Sequence, residues 1–323
     1  MAYPATLHEI EETADTAPVS PRRLLTMETL QAFERRSNVA GALRLAAHGL
    51  CMTGTGVVVW LATPSWLLLI PAMVLHGATL VAMFAPMHEC THRTAFVSRR
   101  ANDVVGWLAG LLCVYNSNFY RYYHGWHHRY TQDPARDPEL MYPRATDRLH
   151  YLLETSGYTF WSRRLIDYPA IALGRTAGVP FVPASARHRI ALSMSAQLLI
   201  YVLGAGTVVL GSTAFLYYWL LPVLLATPLL RSYLIAEHTD CSRDRNRLTN
   251  TRTTLTIWPI RLLMWNMPFH AEHHLYPTVP FHRLPQLHTE IGRHLAHIGP
   301  GYVAVNRAVL GSRPFRRVSP LPR

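Results

Sequence analysis

Four long apolar segments, arranged as two closely spaced pairs, dominate this chain of 323 residues. Crossing the hydrocarbon core of a bilayer takes about 20 mostly apolar residues. The two apolar regions, 45–87 and 190–236, are each long enough for two such spans. Both regions are apolar on all helical faces, which argues against a soluble core built from amphipathic helices. We therefore predict an all-α integral membrane protein with four transmembrane helices, at about residues 45–63, 66–87, 190–210 and 213–236.

The distribution of charge predicts the orientation of the four spans. The short loops at 63–65 and 211–213 carry no charged residue, whereas arginines crowd the opposite ends of the spans. By the positive-inside rule, those ends face the cytoplasm. We therefore expect both termini and residues 93–187 to be cytoplasmic, with only the two short loops outside. The arginines concerned are Arg22, Arg23, Arg35, Arg36, Arg44, Arg93, Arg99, Arg100, Arg187 and Arg189.

The remaining segments are predicted to lie at the membrane surface or in the cytoplasm. Residues 104–115 are apolar but too short to span a bilayer, and residues 151–173 have the mixed composition of an interfacial amphipathic helix. Residues 1–20 are acidic and contain proline, as disordered tails do, and residues 22–37 resemble a short helix. We divide the chain into a cytosolic N-terminal tail with a short helix (1–40), a membrane domain with a histidine-rich helical cytosolic cap (41–300) and a loose cytosolic C-terminal tail (301–323).

Nine of the 18 histidines fall into four groups, each at a place where an apolar segment ends. Residues at positions i, i+3 and i+4 of a helix share one face, so each cluster presents two or three imidazoles to one point. With two spans in each pair, all four groups return to the cytoplasmic side. The groups are His88 and His92; His124, His127 and His128; His238 alone; and His270, His273 and His274.

This pattern predicts a metal site. Neutral imidazole binds iron, zinc, copper and nickel, and nine imidazoles are too many for one ion and about right for two. Two other classes are weaker alternatives. A zinc hydrolase would use three histidines and an acid and would leave most of the nine unexplained. A metal or proton transporter would place ionisable residues in mid-span, where only His48 and His76 come close.

Arginine supplies all of the positive charge, because the chain contains no lysine. The absence of lysine excludes Schiff-base chemistry. Much of the formal net charge of +12 flanks the spans, so topology and anionic lipid explain it without a nucleic-acid partner. Any basic cytosolic surface that remains would suit an acidic electron-carrier protein.

The histidine motifs His-Glu-Cys-Thr-His (88–92), His-Gly-Trp-His-His (124–128) and His-Ala-Glu-His-His (270–274) resemble, in that order, the membrane-bound fatty acid desaturase and hydroxylase superfamily. The segments 127–139 and 265–282 are similar to bacterial members. The resemblance covers roughly residues 40–290, and its histidine motifs are highly specific for the superfamily.

The resemblance implies four transmembrane helices under a cytosolic cap, in a bacterial cytoplasmic (inner) membrane. It also implies a histidine-bound centre of two iron ions, with O2 as co-substrate. The partners it implies are a lipid or acyl substrate, membrane lipids, and a separate ferredoxin, rubredoxin or cytochrome b5 with its reductase. A fatty acyl desaturase is expected. The rivals on the same centre are fatty acyl or alkyl hydroxylation, oxidative decarboxylation to a terminal alkene, and carotenoid oxygenation. The ligands carried over, which would act in catalysis through the metal, are His88, His92, His124, His127, His128, His238, His270, His273 and His274.

Carboxylates and amides near the motifs could orient the imidazoles. Within the superfamily, the acyl-CoA desaturases carry an asparagine four residues before the counterpart of His238, where this chain has Leu234. Asn266, four residues before His270, could supply an amide to the site instead. Arg231 lies seven residues before His238. It is predicted either to extend toward the interface, or to bind a substrate carboxylate or support a metal ligand. The candidate orienting residues are Asn266, Asp137 and Glu237, with Glu89, Asp133 and Glu272 as further acids.

Overall fold

Helices make up most of the computed structural model, which describes residues 24–140 and 147–312. The predicted tail at 1–20, Arg22, Arg23 and the part of the predicted C-terminal tail at 313–323 lie outside the described residues. Four helices in the described part are long and apolar enough to cross a membrane. They cover Asn38–Ala62, Trp66–His92, Ala184–Val209 and Leu216–His238. The predicted all-α fold with four such helices is confirmed.

The first pair of these helices leads into the first histidine motif. After a short helix α1 (Met27–Phe33), helix α2 (Asn38–Ala62) begins at Ser37, whose Oγ accepts a hydrogen bond from the backbone N–H of Ala40 at 3.2 Å. Helix α3 (Trp66–Val81) continues through a short break into α4 (Phe84–His92). The apolar run predicted a start near residue 45, but this N-cap lets the helix begin at Asn38.

Between the two pairs, the described residues form four α-helices. Helix α5 (Arg99–Cys113) packs against α4, and α6 (Ser117–Tyr130) carries the second histidine motif. The prediction of a single interfacial helix at 151–173 is wrong in one respect. The structure has two helices there, α7 (Arg148–Thr155) and α8 (Tyr158–Ala172). Gly157 lies at the break: its φ of 84° is left-handed, a conformation that favours glycine, and a Cβ there would lie 2.5 Å from Thr227 Cγ2.

The second pair of long helices returns the chain to the histidine-rich region. Helix α9 (Ala184–Val209) is followed by a π turn at Leu216–Leu220 and by α10 (Leu221–His238). Helix α10 packs closely on α3, where a Cβ on Gly77 would lie 2.0 Å from the carbonyl oxygen of Pro222. This close approach of the two helices brings His88 and His238 to the same end of the bundle.

The chain after α10 folds over that end as a cap. It contains α11 (Trp258–Leu263), α12 (His270–Leu275), α13 (Leu284–Ile291) and α14 (Tyr302–Gly311). Two short parallel strands, β1 (Thr253–Thr254) and β2 (Ile298–Gly299), pair Thr253 with Ile298 and Thr254 with Gly299. A 3-10 turn at Gly292–His294 also belongs to the cap, and another, at Pro138–Leu140, lies between α6 and α7. The cap buries α12, and with it the third histidine motif.

Candidate metal centre

The structure brings all nine predicted histidines together at the junction of the helical bundle and the cap. Eight of them are buried, and His92 is half-buried. Their elements are α4, α6, the last residue of α10, and α12, which come from four separate parts of the chain. As predicted from the i, i+3 and i+4 spacing, the histidines of each cluster face one point.

The ring nitrogens form two groups. In the larger group, five histidines offer nitrogens that all lie within 4.8 Å of one another, and in the smaller group three do. The Nε2 atom of His128 lies 2.9 Å from His124 Nε2 and 3.1 Å from His273 Nε2. The larger group is His88, His92, His124, His128 and His273, and the smaller is His127, His238 and His274.

His270 is the one predicted ligand outside both groups, and it borders the smaller one. Its Nε2 lies 3.2 Å from His238 Nε2, the same distance that separates His238 Nε2 from His127 Nε2. An ion with metal–nitrogen bonds of about 2.1 Å holds neighbouring ligands at right angles about 3 Å apart. These nitrogen spacings therefore match those expected around a shared ion.

Several ring nitrogens have no hydrogen-bond partner within the described part of the chain. The buried ring nitrogens without a partner include both nitrogens of His88, Nε2 of His92 and Nε2 of His274. Buried polar atoms in proteins almost always have a partner, and a bound cation would provide one. The donor set and its unsatisfied atoms thus fit metal ions at two adjacent positions.

Burial keeps these imidazoles in the form that binds metal. For His124, His128, His273 and His274, burial lowers the pKa well below the ordinary value, and the neighbouring histidines lower it further. The pKa of His270 is lowered by the same causes. The rings are therefore neutral at physiological pH, with a lone pair available for coordination.

Asp137 orients one of the histidines. The Nδ1–H of His127 donates to Asp137 Oδ1 at 2.9 Å, which leaves Nε2 to face His238. The Asp137 carboxylate also accepts the backbone N–H groups of Gln132 and Glu139, at 2.8 and 3.0 Å. Burial raises the pKa of Asp137, but His127 and the two backbone amides outweigh it, so the pKa lies below its ordinary value. A buried acid that stays ionised can fix the imidazole ring.

The other candidate orienting residues differ in what they contact. Glu237 Oε1 lies 3.3 Å from His270 Nδ1, but the two atoms form no hydrogen bond. Asn266 donates its Nδ2–H to the carbonyl oxygen of Phe281 at 3.1 Å and so holds the loop ahead of α12. The further acids contact other partners: Glu89 accepts from the backbone of Phe281, Asp133 pairs with Arg136, and Glu272 binds Thr253 and His288.

Gln132 was not predicted from the sequence, although it joins two of the histidine-bearing helices. Its side chain is fully buried, and its Nε2–H donates to the carbonyl oxygen of His238 at 2.8 Å. Its backbone adopts a left-handed φ of 69° directly after α6. The only sequence feature that could have indicated a role for Gln132 is its place in the segment 127–139, which resembles bacterial relatives.

A cavity of about 310 Å³ opens beside the histidines. Four of them, His88, His124, His238 and His270, lie in its wall. Leu234, which occupies the position of the missing asparagine, also lines it. The wall also contains nine aromatic side chains: Phe84, Tyr115, Phe119, Tyr120, Tyr123, Tyr151, Phe160, Tyr168 and Phe181. An elongated apolar group could therefore reach the imidazoles through an aromatic passage.

The sequence matches the family model described as fatty acid desaturase over residues 64–306. It is 24% identical over 279 residues to the sn-1 oleoyl-lipid 12-desaturase of Synechocystis sp., a match covering 80% of this chain and 77% of that protein. It is 26% identical over 269 residues to the dihydrorhizobitoxine desaturase of Bradyrhizobium elkanii, covering 76% and 74%. A shorter match, 38% identical over 82 residues, links it to 24% of the sn-1 oleoyl-lipid 12-desaturase of Picosynechococcus sp..

Proposed function

The chain belongs to the fatty acid desaturase family, and we propose that it is an O2-dependent di-iron oxidoreductase that introduces a C=C bond into a fatty acyl chain. Membership of the family makes it an oxidoreductase of the desaturase type with histidine clusters able to hold metal. The proposal goes further by naming the metal, the oxidant and the reaction.

One observation carries the proposal: two adjacent groups of buried imidazole nitrogens end a cavity with aromatic walls. Zinc could occupy such nitrogens but has no redox chemistry. Bound iron would supply, with O2, the oxidising power needed to break an unactivated C–H bond. We propose all nine histidines as its ligands, with His270 the ninth beside the smaller group.

The residues around the histidines perform the work of positioning. Asp137 keeps the proton of His127 on Nδ1 and thereby directs Nε2 inward. We propose that Glu237, whose Oε1 lies 3.3 Å from His270 Nδ1, orients His270 when metal is bound. The aromatic side chains of Tyr115, Tyr120 and Phe84 pack against one another with ring centroids 5.0 to 5.7 Å apart, and two of the three pairs are edge to face. Such a wall excludes water from the reacting carbon and holds an alkyl segment in one orientation.

The same centre could also support hydroxylation, decarboxylation or carotenoid oxygenation. These outcomes differ in small shifts of the substrate carbon. The two relatives matched over about three quarters of their length are both named desaturases, which favours the formation of a double bond. Electrons would come from a separate ferredoxin, rubredoxin or cytochrome b5 with its reductase. We place the protein in the bacterial cytoplasmic membrane with both termini inside.

The test is gas chromatography of lipids from a host that expresses the chain with a ferredoxin and its reductase. We expect a new unsaturated acyl chain with the natural sequence and none with His273→Ala. The matched control is His150→Ala, because the half-exposed ring of His150 pairs with Asp147 away from the histidine groups. This control should keep the product.

Other products would contradict the proposal. A hydroxylated chain, a shortened terminal alkene, or an altered carotenoid with unchanged acyl chains would each identify one of the rivals. Elemental analysis of the purified protein is the second measurement, and we expect close to two irons per chain. Stoichiometric zinc without iron after iron-replete expression would exclude the oxidase.

A further inference from the structure

The cavity has a charged end opposite the histidines. Its wall there contains three arginines, Arg163, Arg164 and Arg231, and two acids, Glu154 and Asp167. The other acids of the wall belong to the histidine end, where Glu139 Oε2 lies 3.7 Å from His127 Nε2 and Glu237 Oε1 lies 3.3 Å from His270 Nδ1. The charged end therefore carries one more positive than negative side chain.

Arg164 is a fixed cation at this end. Its Nε donates to the carbonyl oxygen of Val114 at 2.7 Å, and its Nη1 donates to that of Phe160 at 3.2 Å. The guanidinium also lies 3.3 Å from the ring centroid of Phe160 and 4.4 Å from that of Tyr115. Within residues 24–140 and 147–312 it forms no ion pair. The surrounding structure thus holds a positive charge in place without a direct ion pair.

Arg231 is held differently. Its Nη2 pairs with Glu154 Oε1, and both side chains are partly buried. The sequence left open whether Arg231 extends toward the membrane interface. The ion pair with Glu154 instead favours a position in the cavity wall. Seven residues separate it from His238, which is about 10 Å along a helix. Arg231 and Glu154 together are neutral, so Arg164 is the cation of this end that forms no ion pair among the described residues.

A continuous series of rings joins Arg164 to the histidines. Tyr115, on which Arg164 stacks, lies 5.5 Å from Tyr120 between ring centroids, and Tyr120 stacks on His124 at 5.0 Å. Burial raises the pKa of Tyr115, while Arg164 and Arg231 both act to lower it. Both guanidinium groups therefore act on the interior of the same passage.

We propose that Arg164 binds the carboxylate of a free carboxylic acid substrate, whose alkyl chain then runs along the aromatic wall to the histidines. The inference deepens the proposed function by naming the form of the acyl substrate. A carboxylate would neutralise the excess positive charge, whereas an ester of a glycerolipid is neutral at its carbonyl end and would leave a desolvated cation unpaired. With the carboxylate at the far end, a carbon within the chain meets the histidines.

The experiment measures binding and needs neither metal nor electron donor. The purified full-length protein in lipid nanodiscs is titrated with dodecanoate and, separately, with methyl dodecanoate, and binding is followed by the quenching of tryptophan fluorescence. We expect the natural protein to prefer the carboxylate. Arg164→Gln should weaken dodecanoate binding by about tenfold or more, the usual scale of a charged hydrogen bond, with little change for the ester.

Comparison of the two ligands within each variant separates recognition from folding. A misfolded Arg164→Gln protein would lose both ligands, and Arg164→Lys, which keeps the charge, should then still prefer the carboxylate. Arg175→Gln is the matched control, because Arg175 is exposed on the loop after α8. Equal binding of acid and ester by the natural protein would overturn the inference. Desaturation in the lipid assay would be unaffected by that result, so the two proposals fail separately.

Discussion

The Asp137 carboxylate makes three contacts that together restrain one imidazole. His127 donates to it through Nδ1, and two backbone amides of the following turn complete its hydrogen bonding. Orienting carboxylates of this kind are often nearly as important for metal binding as the ligands themselves. The turn 131–139 is therefore part of the site, although none of its residues is proposed to bind metal.

Asp137→Asn is expected to weaken metal binding and turnover by about 10- to 100-fold. The amide keeps the shape of the side chain but removes the charge, and only one of its two polar atoms can accept the bonds that Asp137 now accepts. Metal content after dialysis against a graded chelator measures the effect.

Asp133→Asn is the control for this residue. Asp133 lies in the same turn, but its carboxylate pairs with Arg136 near the surface, so metal retention should stay unchanged. If Asp137→Asn retained metal as well as Asp133→Asn does, the orienting role would be refuted.

Sequence spacing predicted which histidines converge but not how their neighbours bond. The i, i+3 and i+4 pattern is local, and a helix converts it into a shared face without further information. The contacts of Gln132 with His238 and of Asn266 with Phe281 depend on segments far apart in the chain. Such contacts follow from the tertiary packing, which no local pattern specifies.

At the scale of elements, the packing of α3 on α10 sets the position of the first histidine motif. Gly77 allows this approach, because even a methyl group there would lie 2.0 Å from the Pro222 carbonyl oxygen. The apolar run predicted a span in this place, but not that a glycine within it lies against another backbone. Gly157 is similar: composition predicted one helix across it, and its left-handed φ instead ends α7 and starts α8.

Gly77→Ala is expected to destabilise the protein by about 1 to 3 kcal/mol, the usual cost of overpacking, and to lower turnover by displacing α10. Gly49→Ala is the matched control in α2, where a new Cβ meets no atom within 4 Å. That change should be neutral or slightly stabilising, because alanine has the higher helix propensity. Thermal unfolding of both variants in detergent measures the difference, and equal midpoints would show that α3 and α10 do not approach this closely.

At the scale of the whole molecule, burying many imidazoles at one place makes the stability of the metal-free protein depend on pH. Burial lowers the pKa of His124, His128, His270, His273 and His274 in the folded state. In the unfolded chain these rings take up protons near pH 6.5. Below that pH the unfolded state binds more protons, so folding stability falls as the pH drops.

The unfolding midpoint of metal-free protein should therefore be flat above about pH 6.5 and should fall between about pH 6.5 and 5, where ordinary carboxylates are still ionised. Replacing His128 and His273 with Gln should flatten the slope, because glutamine does not titrate. A midpoint that rises as the pH falls through this window would show that the rings are protonated in the folded protein.

The orientation of the bundle remains a prediction from charge, and α9 offers a direct measurement of it. Ser185 lies in the first turn of this helix and Ser212 lies just after its end. Both are exposed, and serine to cysteine is a conservative change. Of the native thiols, Cys90, Cys113 and Cys241 are buried and Cys51 is partly so, which makes added cysteines better reporters than the native ones. An impermeant maleimide applied to intact cells should label Ser212→Cys, whereas Ser185→Cys should react only after the membrane is opened. The reverse pattern would place the histidines and their electron donor on opposite sides of the membrane, and the proposed reduction by a cytoplasmic carrier could not occur.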